Sequence, residues 1–333
     1  MARLKHPSLL IDLGHVGKNG LPLSHEPRFQ NELDQCRKWG FRFDIADDRV
    51  SLIFDQDQLV PYWIQQETPA IAWDWLRVNG FLSIDSTNSE ALELARRGAP
   101  AGSLVYAEEQ TAGKGRKDRI WFSPAGAGLY FTVLIRPTQP LARWPLLTHV
   151  ASVALAETLQ NLWEHKVVAR PLEVDIKWPN DILLSGKKCA GILLETTSHG
   201  KNLAAAVGVG INVRPRSVPE SESQDATCID EMADAFVPRR LLMVQFLHRF
   251  QQGYLLFEQG KHAELLERWK SFSSMWNGTR VRIIDGGLSR EVETCGLNEI
   301  GALLVRAPDG TQETILAGDI RVRRDSKTPE ECR

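Results

Sequence analysis

Apolar positions recur along this chain with two periods, and the changes between them mark out its parts. From Pro27 to Lys38 the spacing is helical, with Phe29, Leu33 and Cys36 on one face. Pro27 falls in the first turn, where a missing N–H is harmless. Trp39-Gly40 ends the run, and residues 41–45 and 50–54 then alternate as a small hairpin. A helix followed by a hairpin is the back half of a winged-helix module. The front half is thin: a helix-turn-helix needs two more helices, and only residues 7–23 precede, with Gly14, Gly17, Gly20 and Pro22 among them. Residues 1–62 read as a winged-helix-like unit, degenerate at its start.

From 63 to 271 the pattern is richer. A strand at 81–84 leads into Thr87-Asn88-Ser89-Glu90, whose Thr and Glu three apart predict a capping box. The helix then runs to Arg96-Arg97-Gly98, a C-terminal stop. Strands are predicted at 104–107, 129–135, 182–184, 191–195 and 203–211. A long helix over 144–163 carries Leu147, Val150, Ala151, Ala154, Leu155, Leu159 and Leu162 at helical spacing, and two more helices cover 239–257 and 262–271. Strand runs broken by a few long helices predict an α+β fold, a central mixed sheet with helices on one face. From 272 to 333 the chain is short and β-rich. Strands at 281–284, 292–295, 302–305, 313–316 and 319–322 are separated by Asp285-Gly286-Gly287 and Pro308-Asp309-Gly310, the pattern of a small barrel, with an unstructured tail from 326.

Composition narrows the classes. The chain has 333 residues, 43% hydrophobic and 25% charged, with net charge −2, as expected of a soluble globular protein. The first 62 residues hold eight Lys/Arg against nine Asp/Glu, a poor balance for gripping phosphates, so a docking or vestigial unit fits as well as a DNA reader. The start is broken by charge and proline before any apolar run, which argues against a secretory signal. Residues 203–213 are too few and too glycine-rich to cross a bilayer. Five scattered cysteines lack any metal spacing and read as inert thiols in a reducing cytoplasm.

The chemistry is concentrated in two segments. Gly113-Lys114-Gly115-Arg116-Lys117-Asp118-Arg119-Ile120-Trp121 sets four basic side chains on a loop whose glycines let backbone N–H groups approach an anion. It is neither a P-loop nor a dinucleotide fingerprint. Lys177-Trp178-Pro179-Asn180-Asp181 places a carboxylate on a turn between lysines. Lys188 precedes an apolar strand and could project into a cleft or snorkel from a strand end. Gly208-Val209-Gly210-Ile211-Asn212 lacks side chains where a ligand or another backbone could approach. Each alone has a bland alternative: a solvated basic loop, a turn-forming aspartate, a core tryptophan.

In order, they are more specific. Asp85-Ser86-Thr87-Asn88, Glu109-Gln110-Thr111-Ala112-Gly113-Lys114-Gly115-Arg116, Arg119-Ile120-Trp121-Phe122-Ser123-Pro124, Lys177-Trp178-Pro179-Asn180-Asp181, Lys188-Cys189-Ala190-Gly191-Ile192-Leu193 and Gly208-Val209-Gly210-Ile211-Asn212 together closely resemble the biotin protein ligases. Gly318-Asp319-Ile320 resembles the end of that family's C-terminal SH3-like barrel. Arg37-Lys38-Trp39-Gly40 resembles the winged-helix segment of its bifunctional bacterial type, the biotin operon repressors.

The resemblance implies joining of biotin to AMP with ATP and Mg²⁺, then transfer to one lysine of a biotin carboxyl carrier protein. It implies that Ser86, Thr87 and Asn88 line a biotin pocket and that Gln110 hydrogen-bonds the ligand. Lys114, Gly115 and Arg116 would order over the adenylate, Arg119 would face phosphate and Trp121 would serve as a lid. Lys188 would contact the biotin carboxylate and the reacting phosphate, Asp181 would orient or deprotonate the acceptor lysine, Asn180 would help shape the nucleotide site, and Asn212 would be a further ligand-binding residue. Lys114 and Asp118 depart from the family pattern, where Arg and Gly are frequent. No metal-ligating set is expected from the protein. A sheet edge open to a second copy, a repressor using the adenylate as corepressor, and a lipoate or octanoyl transferase remain as further implications.

Overall fold

The computed structural model describes residues 4–68, 76–199, 202–285, 288–316 and 321–324. The Gly318-Asp319-Ile320 motif, the start of the strand expected at 319 and the tail from 326 lie outside these residues. The first unit comprises β1 (Leu4–Lys5), α1 (Ser8–Val16), β2 (Leu21–Pro22), α2 (Pro27–Lys38), β3 (Phe43–Ala46), β4 (Arg49–Leu52) and α3 (Pro61–Glu67). Helix α2 starts and stops where the apolar spacing predicts, burying Leu33 and Cys36. β3 and β4 form the hairpin, and β2 completes a sheet of order β2-β4-β3. Asp47 and Asp48 at its tip both have positive φ, 50° and 55°, the mirror-image turn that suits a two-residue hairpin. Ahead of α2 stands a single α-helix among the described residues, followed by one 3₁₀ turn at Gly17–Asn19. Gly14 does not break α1, since its bare Cα lets Val60 and Tyr62 pack close, a Cβ there meeting Val60 Cγ1 at 3.0 Å.

The central unit comprises β5 (Arg77–Ile84), α4 (Thr87–Arg96), β6 (Ser103–Gln110), β7 (Gly128–Ile135), α5 (Leu146–Glu164), β8 (Val174–Lys177), β9 (Asp181–Leu184), β10 (Lys187–His199), β11 (Asn202–Asn212), α6 (Ile229–Ala233), α7 (Arg239–Glu258) and α8 (His262–Phe272). The strands form a mixed sheet of order β1-β5-β6-β7-β11-β10-β9-β8, in which β5 and β6 run parallel and β1 from the first unit borders β5.

Two expectations are corrected here. Helices lie on both faces of the sheet. Leu104 and Tyr106 of β6 face the core shared with α5 and α7, whereas Val105 and Ala107 pack on Ala91 and Leu92 of α4. Because these strands are buried on both sides, no polar alternation marks a face, and the side taken by α4 could not be read from the pattern. The capping box is also absent: the N-cap is Ser86, which makes no side-chain cap bond. The Thr87 N–H instead donates to Gln110 Oε1 at 2.9 Å, a partner on another strand.

The last unit comprises β12 (Asn277–Asp285), β13 (Leu288–Leu297), β14 (Leu303–Arg306), β15 (Gln312–Ile315) and β16 (Arg321–Arg324), antiparallel in the order β15-β14-β13-β12-β16. With β15 and β16 at opposite edges, the described strands form an open sheet rather than a closed barrel. Val281, Ile283, Val292, Leu303 and Val305 join the same apolar core as α5 and α8.

Buried charge ties the first unit to the sheet. Arg239, at the start of α7, is 5% exposed and donates to Glu108 Oε2 at 2.6 Å and Asp57 Oδ2 at 3.1 Å. Arg214 reaches the same Asp57 at 2.5 Å, and Arg240 donates to the carbonyls of Asp55 and Gln58 at 2.7 and 3.0 Å. Charges this deep are tolerated only when fully partnered. Residues 55–58 are thereby pinned across the sheet, and Tyr106 Oη adds a bond to Leu59 O at 2.5 Å.

Candidate active site

The segment from Gly113 to Trp121 is a hairpin rather than an irregular loop. Gly115 N donates to Arg119 O at 2.7 Å and Trp121 N to Gly113 O at 2.8 Å. Lys117 and Asp118 at its tip have φ of 54° and 56°. Asp is among the residues that tolerate this left-handed region, so Asp118 can stand at the turn without glycine's freedom.

Under the hairpin lies a lysine–aspartate pair. Lys188 Nζ is 2.8 Å from Asp181 Oδ1 and 5.2 Å from the centroid of the Trp121 ring. Asp181 opens β9 opposite Gly191 of β10, and Lys188 stands further along β10 opposite Leu183, so the pair crosses the two-strand ladder diagonally past an irregularity between Lys188 and Ala190. The Lys188 backbone is fixed from the other side, its N–H donating to Asp225 O and its carbonyl accepting from Thr227 N, each at 2.9 Å. Asn212 Nδ2 holds that outer segment through Thr227 O at 3.1 Å. Trp178, buried before a cis proline at 179, anchors the turn by donating to Gly301 O of the last unit at 3.0 Å.

Glycines make room for Trp121 and Asn88. A Cβ on Gly210 would come within 2.5 Å of the Trp121 indole, and one on Gly191 within 3.1 Å. On Gly208 it would meet Asn88 Oδ1 at 2.0 Å. The close approach expected at these glycines is therefore made by two side chains. Trp121 Nε1 is buried there with no hydrogen-bond partner among the described residues.

Two further links hold the hairpin down. Arg116 Nη1 donates to Asn180 Oδ1 at 2.9 Å, and Asn180 Nδ2 donates to Ile192 O at 2.8 Å. Lys114 Nζ lies 3.5 Å from Glu195 Oε1. At the N-terminus of α4 the polar groups are knitted together. Gln110 accepts from Thr87 and donates to Ser123 Oγ at 3.0 Å. Asn88 donates to Glu195 Oε2 at 2.8 Å and Leu193 O at 3.3 Å, and its oxygen accepts from Thr132 at 2.6 Å. Ser86, Thr87 and Asn88 are all buried. The Arg119 side chain is exposed on the hairpin and forms no hydrogen bond or ion pair with a described residue.

The profile of the biotin/lipoate A/B protein ligase family matches residues 80–212, which span the hairpin, the Lys188–Asp181 pair and the glycine strand. The bifunctional ligase/repressor BirA of Escherichia coli (strain K12) is 35% identical over 250 residues, 73% of each chain. BirA of Bacillus subtilis (strain 168) is 32% identical over 243 residues, 72% of each. This chain belongs to the biotin/lipoate A/B protein ligase family. Its fold agrees with that assignment: the biotin protein ligase from Aquifex aeolicus in complex with biotin and ATP is similar with a TM-score of 0.61 at 28% identity, over 75% of this chain and 99% of that one.

The ligase-family site holds residues that sequence reasoning missed. Glu195, Thr132 and Thr227 brace the motif residues, yet lie in no motif. Glu195 follows an apolar strand run and gives no signal of its own, since its partners are 81 and 107 positions away. Burial pushes the Cys36 thiol up to about 12 and that of Cys228 up to about 11, and it also raises Cys189.

Proposed function

We propose that this chain is an ATP-dependent biotin–protein ligase that forms biotinyl-5′-adenylate and transfers biotin to one lysine of a biotin carboxyl carrier protein. The observation that carries the proposal is the meeting of Lys188, Asp181 and Trp121 beneath the basic hairpin, in a family that includes ligases bound to biotin and ATP.

In the first step a biotin carboxylate oxygen attacks the α-phosphorus of ATP and pyrophosphate departs. The Lys188 ammonium would sit between carboxylate and phosphate, neutralising charge as it develops. Asp181 holds that ammonium in place. Arg116, docked on Asn180, and Lys114 add positive charge from the hairpin, with Arg119 and Gly115 available to a phosphate. The site offers carboxylates at Asp181 and Glu195, both paired with lysines, so a Mg²⁺ ion would keep mainly phosphate and water ligands. When bound it would supply charge neutralisation on the phosphates.

In the second step the acceptor amine attacks the carbonyl, AMP departs and the amine loses a proton, for which Asp181 is the nearest carboxylate to Lys188. Between steps the adenylate must be kept from water. The hairpin, with Trp121 inside, would cover it. Ser86, Thr87, Asn88 and Gln110 would shape the biotin pocket at the N-terminus of α4, and Asn180 and Asn212 the nucleotide side.

We assign residues 1–62 to a shortened winged-helix-like module, 63–271 to the catalytic domain and 272–333 to an SH3-like unit. The order α1-β2-α2-β3-β4 supports the first assignment. β10 pairs with β9 only as far as Gly191 and Asn180 engages the backbone of Ile192, and the strand edge further on would suit a second copy.

The test is transfer of biotin to a purified carboxyl carrier domain, with and without MgATP, read by streptavidin blot. Labelling of one lysine that requires ATP is the expected result. No labelling, or transfer that free lipoate competes and free biotin does not, would overturn the proposal.

A further inference from the structure

Glu195 is placed where the two halves of the site meet. It pairs with Ala206 across β10 and β11, on the face covered by α4. One oxygen accepts from Asn88 Nδ2 at 2.8 Å, and the other faces Lys114 Nζ at 3.5 Å. The two contacts differ in kind. Asn88 is 4% exposed and its amide is fully engaged, by Glu195, Leu193 O and Thr132, so this contact is a permanent, charge-assisted one. The Lys114 side chain is 43% exposed, and an ion pair of that kind is weak and screened by salt. One end of the carboxylate is fixed to the pocket, and the other holds the hairpin reversibly.

We propose that Glu195 is a positioning residue that latches the Gly113–Trp121 hairpin shut through Lys114, and so sets how long the adenylate is retained. It touches no reacting atom. The proposal deepens the ligase assignment and rests on it.

Glu195→Gln keeps an acceptor for Asn88 and removes the charge facing Lys114. In the full-length enzyme with biotin and MgATP, the ratio of bystander labelling (serum albumin) to carrier-domain labelling should rise about fivefold or more, with the melting temperature unchanged. That ratio should rise with salt in the wild type and become insensitive to salt in the variant. Lys114→Gln should produce the same leak, and the double variant no more than either single one. Additive effects, or a wild-type ratio in Glu195→Gln, would overturn the latch.

Trypsin cleavage within the hairpin, which carries Lys114, Arg116, Lys117 and Arg119, gives a readout that needs no activity. Faster hairpin cleavage in Glu195→Gln supports the latch, and equal rates refute it. A wild type that labels no acceptor at all would sink the ligase assignment instead, leaving proteolysis to decide the latch.

Discussion

Lys188 donates an ion pair to Asp181 at 2.8 Å while resting 5.2 Å from the Trp121 ring. Neighbouring strands β9 and β10 position the two charges, and the Trp121 ring lies against Lys188. Lys188→Ala should abolish adenylate formation, seen as loss of biotin-dependent pyrophosphate exchange by 100-fold or more, ~3 kcal/mol of transition-state stabilisation. Asp181→Asn should reduce transfer to the acceptor more than exchange. A Lys188→Ala enzyme with normal exchange would remove Lys188 from the reaction.

Arg116 reaches Asn180 at 2.9 Å and so helps dock the hairpin beside Asp181. Arg116→Ala should let biotinyl-adenylate escape, so that bystander lysines become labelled along with the acceptor. Labelling that stays confined to the carrier lysine would show that the hairpin does not govern retention.

The Arg239–Glu108–Asp57 cluster is structural. Arg239→Met would leave the buried Glu108 carboxylate without its cation and Asp57 with Arg214 alone, and breaking a buried pair of this type costs roughly 3–5 kcal/mol. The urea midpoint should fall markedly, and adding Asp57→Asn and Glu108→Gln should recover part of the loss. An unchanged midpoint in the single variant would mean the cluster adds nothing.

Burial holds the His149 imidazole well below its ordinary value, at about 4. The unfolded chain takes up a proton near pH 6.5, which the folded chain refuses until about pH 4. Stability should therefore fall as pH drops from about 6.5 to 4, by at most about 1.4 kcal/mol per pH unit, with no contribution above pH 7. His6, held at about 3 by burial, acts in the same direction. Urea midpoints at pH 7.5, 6.5, 5.5 and 4.5 should slope less steeply in His149→Gln than in the wild type; parallel slopes would contradict this.

The first unit should not retard DNA. Arg28 and Arg37 of α2 are paired with Glu32 and Asp34, and the hairpin tip presents Asp47 and Asp48. Among the described residues only α1 precedes α2, one helix fewer than a full winged-helix module carries. A gel shift on the organism's own biotin-operon promoter, with biotin and MgATP at low salt, should show no complex. A specific, salt-sensitive shift would restore the repressor assignment.

The sequence by itself determined the local elements and the identity of the chemistry. The spacing of Phe29, Leu33 and Cys36 sets α2, and the ordered motifs from Asp85 to Asn212 mark the site, because periodicity and turn chemistry act over a few residues. Tertiary structure decided what depends on contacts between distant residues. It placed α4 on the far face of a doubly buried sheet and capped it with Gln110 instead of Glu90. It turned a basic loop into a hairpin and supplied Glu195 as the partner of Asn88 and Lys114. It also left the C-terminal strands as an open sheet where a closed barrel was expected. A hydrogen bond or ion pair between positions a hundred residues apart depends on how the whole sheet is assembled, and no local pattern records it.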